Sequence, residues 1–273
     1  MENRNMTIDE ISDKIKKLKI KHGKLLSNII LPINNLDKKF IVIEDEEGIV
    51  FVSQEENRKC AYFATKNSEI LIKLLRKLPK GAVLEYIYKD KNDLNETFLE
   101  AGMSRYSNYI RITTCYNNNP YSIEESGRRK ILESMYDSSY GEYPSIYDAE
   151  ELYRLTREIF DPICDDVFSL EDWRNIIRSQ EALVYKIDGE IIACYVWRLE
   201  GKKLYSNLTF NKGTANILYN MERRVFEKMW KNGIRIYYCW FNEKNIKALK
   251  RINENAKFCI KYINYIYNSV YVF

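Results

Sequence analysis

The sequence predicts an α/β or α+β protein of two domains, each a mixed, mostly antiparallel sheet flanked by helices. Short β-rich runs alternate with amphipathic segments, and the order α-α-β-β-β-α-β-α-β is present twice along the 273 residues. Turn-forming pairs join successive β runs, which is typical of antiparallel hairpins. A polar, asparagine-rich stretch with one predicted helix at 128–135 separates the halves. We therefore expect domains at 1–115 and 145–273, with a linker at 116–144.

The first half begins with a helical pattern and continues with strands. Apolar residues recur at helical spacing through the first 33 residues. Asn67 is a candidate cap for a later helix. The predicted elements that follow the first helix are strands at 40–43, 49–52 and 60–63, a helix at 70–78, a strand at 83–88, a short helix at 94–101 and a strand at 105–114.

The second half repeats this order with longer elements. Its second helix opens at Ser169 with Asp172 three residues later, which resembles a capping box. Asp188-Gly189 and Glu200-Gly201 are predicted hairpin turns within a meander of three strands. The predicted elements are helices at 148–159 and 169–179, strands at 182–187, 191–199 and 204–210, a helix at 215–231 ended by Gly233, a buried strand at 234–241, a helix at 245–255 and one or two strands at 258–272.

The connection after the strand at 204–210 is a candidate anion site. The chain runs through a loop containing Lys212 and Gly213 directly onto the helix that begins at Ala215. The first N–H groups of a helix lack intrahelical partners, and together with the helix dipole they attract anions. The dipole contributes about 0.3–1 kcal/mol, and Lys212 would add to it. A diphosphate suits such a site, whereas the alternative is that Gly213 only ends the strand.

This segment resembles the acyl-CoA-binding half of GNAT acyltransferases. The pyrophosphate loop of that family reads Arg/Gln-x-x-Gly-x-Gly/Ala, and Phe210 here stands in place of the Arg or Gln, before Gly213 and Ala215. The family's next signature, Asn-x-x-Ala after a buried strand, is matched from Asn245 to Ala248. The following helix closes at Lys257-Phe258 where the family has Gly-Phe. For 35–114 the resemblance covers only element order and the ending at 94–103.

The resemblance implies that acetyl-CoA or another acyl-CoA lies between splayed strands at 204–210 and 234–241. An amine, carried by a small molecule or a peptide, would attack the thioester directly. A first half of the same kind would have lost its cofactor site, because the loop after 63–66 contains no glycine. The implied cofactor-binding residues are Leu208, Thr209, Phe210, Asn211, Lys212, Gly213, Thr214, Ala215 and Asn245.

The catalytic groups that the family often uses are missing from the matching positions. The strand at 204–210 has no carboxylate, and 249–252 has no tyrosine. Ser206 and Tyr238 are the candidate catalytic hydroxyls, with Tyr205 nearby, and ordinary strand positions are the alternative for each. Three acidic residues in the loop after 148–159 could face a cationic acceptor or could cap helices. They are Asp161, Asp165 and Asp166.

The composition argues against several other classes. One histidine and six cysteines without a C-x-x-C pair argue against a metal site. A net charge of +4 does not indicate nucleic-acid binding. No apolar run reaches the roughly 20 residues that span a bilayer, and the polar, acidic N-terminus is unlike a secretory signal. We therefore expect a cytoplasmic protein without a membrane partner.

Two alternatives to an acyl-CoA-dependent transferase remain open from the sequence. Two fused halves also suit an aminoacyl-tRNA-dependent transferase resembling the Fem family, although no strong basic stripe is present. The missing base and acid and the altered loop suit a non-catalytic acyl-CoA-binding protein. The first half could close over the site of the second or could form a homodimer.

Overall fold

The chain is described here from a computed structural model that covers residues 4–29, 40–55, 58–119, 121, 140–165, 167–245 and 260–273. Its residues form two compact units, one of Met1–Tyr109 with Ile266–Phe273 and the other of Ile110–Tyr265. These units differ from the predicted boundaries at the C-terminus. The last strand belongs in part to the first unit, because Tyr267 to Val272 pair with a strand of that unit.

The first unit contains two layers of helices around one sheet. The elements are β1 (Arg4–Met6), α1 (Ile8–His22), β2 (Leu26–Ser27), β3 (Phe40–Glu44), β4 (Gly48–Gln54), β5 (Lys59–Thr65), α2 (Ser68–Leu75), β6 (Ala82–Tyr88), α3 (Asn95–Glu100) and parts of β7 (Ser104–Tyr116) and β12 (Ile260–Val272), whose other residues belong to the second unit. The strands of the first unit follow the order β1-β3-β4-β5-β6-β12, in which β5 and β6 are parallel and the other neighbouring pairs are antiparallel.

Helix α1 covers one face of this sheet, and α2 and α3 cover the other. A capping box between Thr7 and Glu10 begins α1, and the buried Ile11 and Leu18 attach it to the sheet. Its end corrects the sequence analysis, which extended the helical pattern to residue 33. Gly23 has a φ of +75° and ends the helix, and the chain then forms β2.

The second unit also places helices on both faces of a sheet. The elements are α4 (Ala149–Ile159), α5 (Leu170–Arg178), β8 (Ala182–Ile187), β9 (Glu190–Glu200), β10 (Lys203–Asn211), α6 (Ala215–Lys231) and β11 (Ile236–Asn242). A 3-10 turn at Ile146–Asp148 precedes α4. The strands follow the order β7-β11-β10-β9-β8, with β10 and β11 parallel and the β8-β9-β10 meander antiparallel.

Two apolar clusters hold these helices to the sheet. Helices α4 and α5 contribute Leu152 and Trp173, both fully buried, to a cluster that includes Val196 of β9. Helix α6 contributes Met221 and Val225 to a cluster on the opposite face. Burying a side chain of this size stabilises the fold by about 1.5–3 kcal/mol, so both helix layers are firmly attached. Within the described ranges, no helix is long and apolar enough to cross a membrane.

The hairpin turns show how local sequence determines the meander. Asp188 and Gly189 have φ values of +53° and +87°, as a type I′ turn requires, and they join β8 to β9 as predicted. The second turn is centred on Gly201-Lys202, one residue later than predicted, with Gly201 at a φ of +59°. The strand orders and helices of both units confirm the predicted mixed sheets flanked by helices. The helix predicted at 128–135, and residues 246–255 of the helix predicted at 245–255, lie outside the described residues.

The described residues of the predicted linker pack within the second unit. Tyr121 contacts Tyr219 and Phe226, with ring centroids 5.6 and 5.4 Å apart. Tyr140 stacks on Tyr185 of β8 at 4.9 Å. Glu142 forms a β-bridge to Val184. Parts of the 116–144 segment therefore act as structure of this unit, since they extend its core and its outer strand.

Candidate functional site

The parallel strands β10 and β11 pair over only part of their length. The pairing runs from Lys203 opposite Ile236 to Ser206 opposite Cys239. Strand β10 then continues to Asn211 and β11 to Asn242 without further pairing between the two strands. The strands therefore leave an opening between them, and the backbone of β10 beyond Ser206 pairs only with β9 among the described strands.

A β-bulge lies at the start of this opening. Ser206 faces Trp197 of β9, whereas the next paired residue, Leu208, faces Val196, so Asn207 has no partner across the ladder. The extra residue reverses which side chains face each helix layer. Leu204 belongs to the α6 cluster, but Leu208 belongs to the α4 and α5 cluster. A bulge of this kind redirects the backbone, and it does so here where β10 leaves β11.

The bulged residue also carries an unsatisfied polar atom. The side-chain oxygen of Asn207, Oδ1, is buried and accepts no hydrogen bond from any residue that the structure describes. A buried acceptor without a donor is unfavourable by about 1–3 kcal/mol. The unsatisfied atom belongs to the bulged residue, at which β10 leaves β11.

The loop after β10 is held by its own hydrogen bonds. The N–H of Lys212 donates to the carbonyl of Ile192 at 2.9 Å, and the N–H of Gly213 donates to Asn211 Oδ1 at 2.9 Å. Asn211 Nδ2 in turn donates to the carbonyl of Thr214 at 2.9 Å. The N–H groups of Lys212 and Gly213, which belong to the predicted anion-binding loop, therefore donate within the protein. At the start of α6 the N–H of Ile217 donates to the carbonyl of Thr214 at 3.2 Å, so the N–H groups of Ala215 and Asn216 are the candidate anion donors.

The start of α6 is not capped in the way of α1 and α5. Thr214 is the N-cap residue, but its hydroxyl donates to Asn216 Oδ1 instead of accepting from the helix backbone. No acidic residue occupies the first turn of α6. In α5, by contrast, Ser169 and Asp172 form a complete capping box. The first turn of α6 therefore keeps N–H donors and a positive dipole end without a neutralising side chain among the described residues.

Gly213 packs tightly against neighbouring side chains. A Cβ at this position would lie 2.6 Å from Ile217 Cδ1 and 3.2 Å from Ile192 Cγ2, and the first distance is shorter than real contacts allow. The backbone of the loop consequently lies directly on these two side chains. This steric reason for the glycine acts independently of any bound anion.

Tyr238 lies in an aromatic and charged cluster at the paired end of β10 and β11. Its ring stacks on Tyr205 with centroids 4.5 Å apart, and the guanidinium of Arg111 lies 5.5 Å above it. Its hydroxyl donates to Glu200 Oε2. Burial, and then this hydrogen bond to a carboxylate, raise the pKa of Tyr238 above its usual value. The hydroxyl therefore stays protonated and acts as a donor to Glu200.

Ser206 lies under α6, where it is only 8% exposed. The same face carries Tyr195 and Tyr237, which belong to the α6 cluster. Tyr237 Oη donates to Glu222 Oε1 of α6 at 3.4 Å. Burial raises the pKa of both tyrosines, and the Glu222 carboxylate raises them further. The Ser206 hydroxyl is therefore buried together with these polar side chains, and an apolar cluster surrounds them.

Sequence reasoning missed Arg111, Glu200 and Glu222 as neighbours of the candidate hydroxyls. Glu222 lies within the predicted helix at 215–231, and Glu200 lies in a predicted turn. The contacts of these residues cross between elements far apart in the chain. A charged residue next to the apolar stripe of α6 was the available signal, because Glu222 directly follows the buried Met221.

The acidic loop between α4 and α5 supports its own backbone. Asp161 Oδ1 accepts from the N–H of Ile163 at 2.9 Å, and Asp165 Oδ2 accepts from the N–H of Asp161 at 2.9 Å. Both donors are loop residues, so the two carboxylates hold the loop between α4 and α5. Asp166 lies outside the described residues. In the described part of the chain, no cluster of histidine, cysteine and acidic side chains is arranged to hold a metal ion.

Asn245 follows β11 in a tight turn. Its N–H donates to the carbonyl of Asn242 at 2.8 Å, and its side chain is exposed. The structure therefore places it beyond the C-terminal end of β11. The rest of the predicted signature, including Ala248 and Lys257, lies outside the described residues.

Comparison with known proteins supports the fold. No protein-family model matches the chain, and no curated protein matches it. The X-ray structure of a Drosophila protein has a TM-score of 0.50 at 11% identity, over 99% of this chain and 98% of that chain. The crystal structure of a GCN5-related N-acetyltransferase from Sphaerobacter thermophilus has a TM-score of 0.50 at 11% identity, over 81% of this chain and 76% of that chain. The GNAT-like fold expected from the sequence is confirmed.

Proposed function

We propose that this chain is an N-acyltransferase that moves an acyl group from acyl-CoA to an amine. The observation that carries the proposal is the parting of β10 and β11 after Ser206 and Cys239, beside the uncapped start of α6. An unpaired strand edge and a helix N-terminus at the two ends of one short segment suit a ligand that has amides followed by a diphosphate.

The proposed cofactor lies along β10 and ends at α6. The amide groups of the pantetheine arm would pair with the open edge of β10 from Asn207 to Asn211, where Asn207 Oδ1 also lacks a donor. The diphosphate would accept hydrogen bonds from the first N–H groups of α6, with Lys212 as the nearby cation. The proposed contact residues remain Leu208, Thr209, Phe210, Asn211, Lys212, Gly213, Thr214, Ala215 and Asn245.

The proposed reaction is a direct displacement at the thioester. The amine nitrogen attacks the acyl carbonyl carbon, the carbon–sulfur bond breaks, and the leaving thiolate takes a proton from the nitrogen. The products are an amide and CoA with its free thiol. Backbone N–H groups of β10 would stabilise the negative oxygen of the intermediate. Holding both reactants in line can contribute up to about 7–11 kcal/mol, so a transferase can work largely by positioning.

The chemical identity of the acyl group is the finer part of the proposal. The Sphaerobacter thermophilus protein is described as an N-acetyltransferase, and this makes acetyl-CoA the donor to test first. The acceptor is an amine on a small molecule or a peptide. Arg111 and Glu200 beside Tyr238 provide both signs of charge close to the paired end of the opening.

The first experiment is calorimetric titration with acetyl-CoA, followed by detection of released thiol with a panel of amines. We expect saturable binding, and ligand at 100 times Kd should raise the free energy of unfolding by ~2.7 kcal/mol. Gly213→Asp should abolish binding, and circular dichroism should verify that the variant folds. Absence of acetyl-CoA binding by the wild-type chain would refute the proposal.

A second candidate is a non-catalytic acyl-CoA-binding protein. The buried position of Ser206 and the engaged hydroxyl of Tyr238 favour it, because neither group is exposed as a catalytic hydroxyl. Binding without thiol release from any amine of the panel would select this candidate. Salt-dependent binding of tRNA would instead favour the Fem-like alternative.

A further inference from the structure

The first unit contains the same kind of opening between parallel strands as the second. Strands β5 and β6 pair only from Lys59 opposite Ala82 to Ala61 opposite Leu84. Strand β5 continues to Thr65 and β6 to Tyr88. As in the second unit, an antiparallel meander precedes the first of the parallel strands, and a helix, here α2, connects the two. We infer that the chain fills this opening with its own residues 26–28, so that the first unit takes no acyl-CoA.

The edge of β5 that would receive a ligand is occupied by β2. Leu26 pairs with Thr65 and Ser27 pairs with Ala64, antiparallel to β5. These pairs lie just beyond the point at which β5 leaves β6. On β10 the corresponding backbone groups have no partner on β11, whereas on β5 they pair with β2. An incoming extended ligand would therefore have to displace β2.

The carboxamide of Asn28 bridges the two separating strands. Its Nδ2 donates to the carbonyl of Ala61 at 3.1 Å and to the carbonyl of Glu85 at 3.0 Å. Its Oδ1 accepts from the N–H of Phe63 at 2.7 Å. One side-chain amide thus satisfies three backbone groups on β5 and β6. It makes the type of contact that an amide of a ligand would make in an empty opening.

The start of α2 is also closed to an anion. The side chain of Asn67 caps the helix by accepting from the N–H of Ile70 at 3.0 Å, and Glu69 adds a negative charge to the first turn. The nearby Lys66 pairs with Glu47 at 2.5 Å. Each of these features is opposite to what α6 presents, because α6 has neither a side-chain cap nor an acidic first turn. The occupied edge of β5 and the capped start of α2 therefore each exclude an acyl-CoA.

The consequence is that one chain binds one acyl-CoA, in the second unit. This stoichiometry rests on the proposed function of that unit, whereas the filling of the first unit rests on contacts within it. Residues 26–28 act as a fixed insert that replaces a ligand and holds β5 to β6. The first unit then has a structural role in place of a second binding site.

Calorimetry on the full wild-type chain tests the stoichiometry with acetyl-CoA as the titrant. We expect one site per chain, and Thr214→Asp, which changes only the second unit, should weaken it at least tenfold. Two sites, or one site whose affinity is unchanged in the variant, would overturn the inference. No binding at all would overturn the proposed function instead, and the exchange experiment below would then decide the inference alone.

Hydrogen exchange of the Phe63 amide tests the insert directly. Asn28→Ala removes the acceptor for this N–H, and we expect the amide to exchange at least tenfold faster than in the wild type. Asn28→Asp keeps an acceptor but places a carboxylate against two carbonyls, so the thermal midpoint should fall further than for a neutral loss. Ser27→Ala is the matched control, since its exposed side chain only accepts from the N–H of Ile29. Exchange at Phe63 that is equal in the Asn28→Ala and Ser27→Ala variants would show that the insert does not hold the strands. Where Asn28→Ala does not fold, the wild-type stoichiometry decides.

Discussion

Ser206 of β10 and Cys239 of β11 form the last facing pair of the parallel ladder, and the bulge at Asn207 follows immediately. The break in pairing and the bulge therefore coincide on one strand. In the first unit, Ala61 and Leu84 hold the corresponding last pair. There, residues of β5 beyond the last pair are paired with β2. The strand edge after the break is therefore filled in the first unit and open in the second.

Thr214→Asp should stabilise the protein and weaken acetyl-CoA binding. Thr214 already has the extended backbone of an N-cap, with φ −82° and ψ 155°, but its side chain does not cap. An aspartate there can accept from the first N–H groups of α6 and can favour the helix dipole by about 0.5–1 kcal/mol. The same carboxylate would occupy the donors and repel a diphosphate. We expect a thermal midpoint up to about 4 °C higher and an affinity at least tenfold lower.

The control for this substitution is Thr214→Ala. It removes a hydroxyl that contacts only Asn216 in the described structure and adds no charge, so the midpoint should stay near the wild-type value and the affinity should fall much less than in Thr214→Asp. Calorimetry and thermal unfolding measure the two quantities separately. Tighter binding by Thr214→Asp would contradict the placement of a diphosphate at α6.

Gly213→Ala should destabilise the protein through Ile217. The added Cβ would lie 2.6 Å from Ile217 Cδ1, and overpacking of this kind costs about 1–3 kcal/mol. Ile217→Val removes the clashing methyl group and by itself costs about 0.5–1.5 kcal/mol. The double variant should be more stable than the sum of the two single effects by at least about 0.5 kcal/mol, as measured by urea unfolding. Strict additivity would show that the loop moves away from Ile217.

The sequence allowed the local elements to be predicted and left the long-range pairings hidden. Helix α6 occupies 215–231 as predicted, because its apolar stripe and Gly233 are local signals. The Asp188-Gly189 turn follows from local φ preferences in the same way. The pairing of β2 with β5 and of Tyr267 to Val272 with β6 depends on contacts across the chain.

The candidate site also combines local features that the sequence predicts with long-range contacts that it does not. The loop at Gly213 and the helix start were visible as a strand–glycine–helix pattern. The bulge at Asn207 was not visible, because a bulge is set by the register with β9. Nor did the sequence reveal that Glu200 lies against Tyr238, since these residues are 38 positions apart and meet only across strands.

Tyr238→Phe should reduce stability more than catalysis. The hydroxyl donates to Glu200, and its raised pKa makes it a poor proton donor to a leaving thiolate at neutral pH. Loss of the hydrogen bond should lower the free energy of unfolding by about 0.5–1.5 kcal/mol. Thiol release at saturating acetyl-CoA should change less than about tenfold, well below the 100-fold or greater effect of a general acid. Tyr205→Phe is the matched control, because it keeps the stacked ring and leaves the Tyr238–Glu200 contact in place. A loss of turnover above 100-fold in Tyr238→Phe alone would make this hydroxyl catalytic.

The protein should lose stability as the pH rises above about 10. Burial raises the pKa of Tyr195 and Tyr237 in the folded state, whereas the same side chains ionise near pH 10 when the chain is unfolded. Above that pH the unfolded chain releases protons that the folded chain retains, so deprotonation favours unfolding. The stabilising contribution is complete below pH 10 and falls as the pH rises toward the raised pKa. Each buried tyrosine adds a slope of up to about 1.4 kcal/mol per pH unit.

Urea unfolding between pH 8 and 11 measures this slope. Tyr237→Phe should make it shallower, because one titrating group is removed while the ring stays in the α6 cluster. Tyr147→Phe serves as the control, since Tyr147 is 90% exposed and its ionisation should affect the folded and unfolded chains alike. Equal slopes in both variants would mean that the Tyr237 hydroxyl ionises in the folded protein, with Glu222 no longer close enough to oppose it.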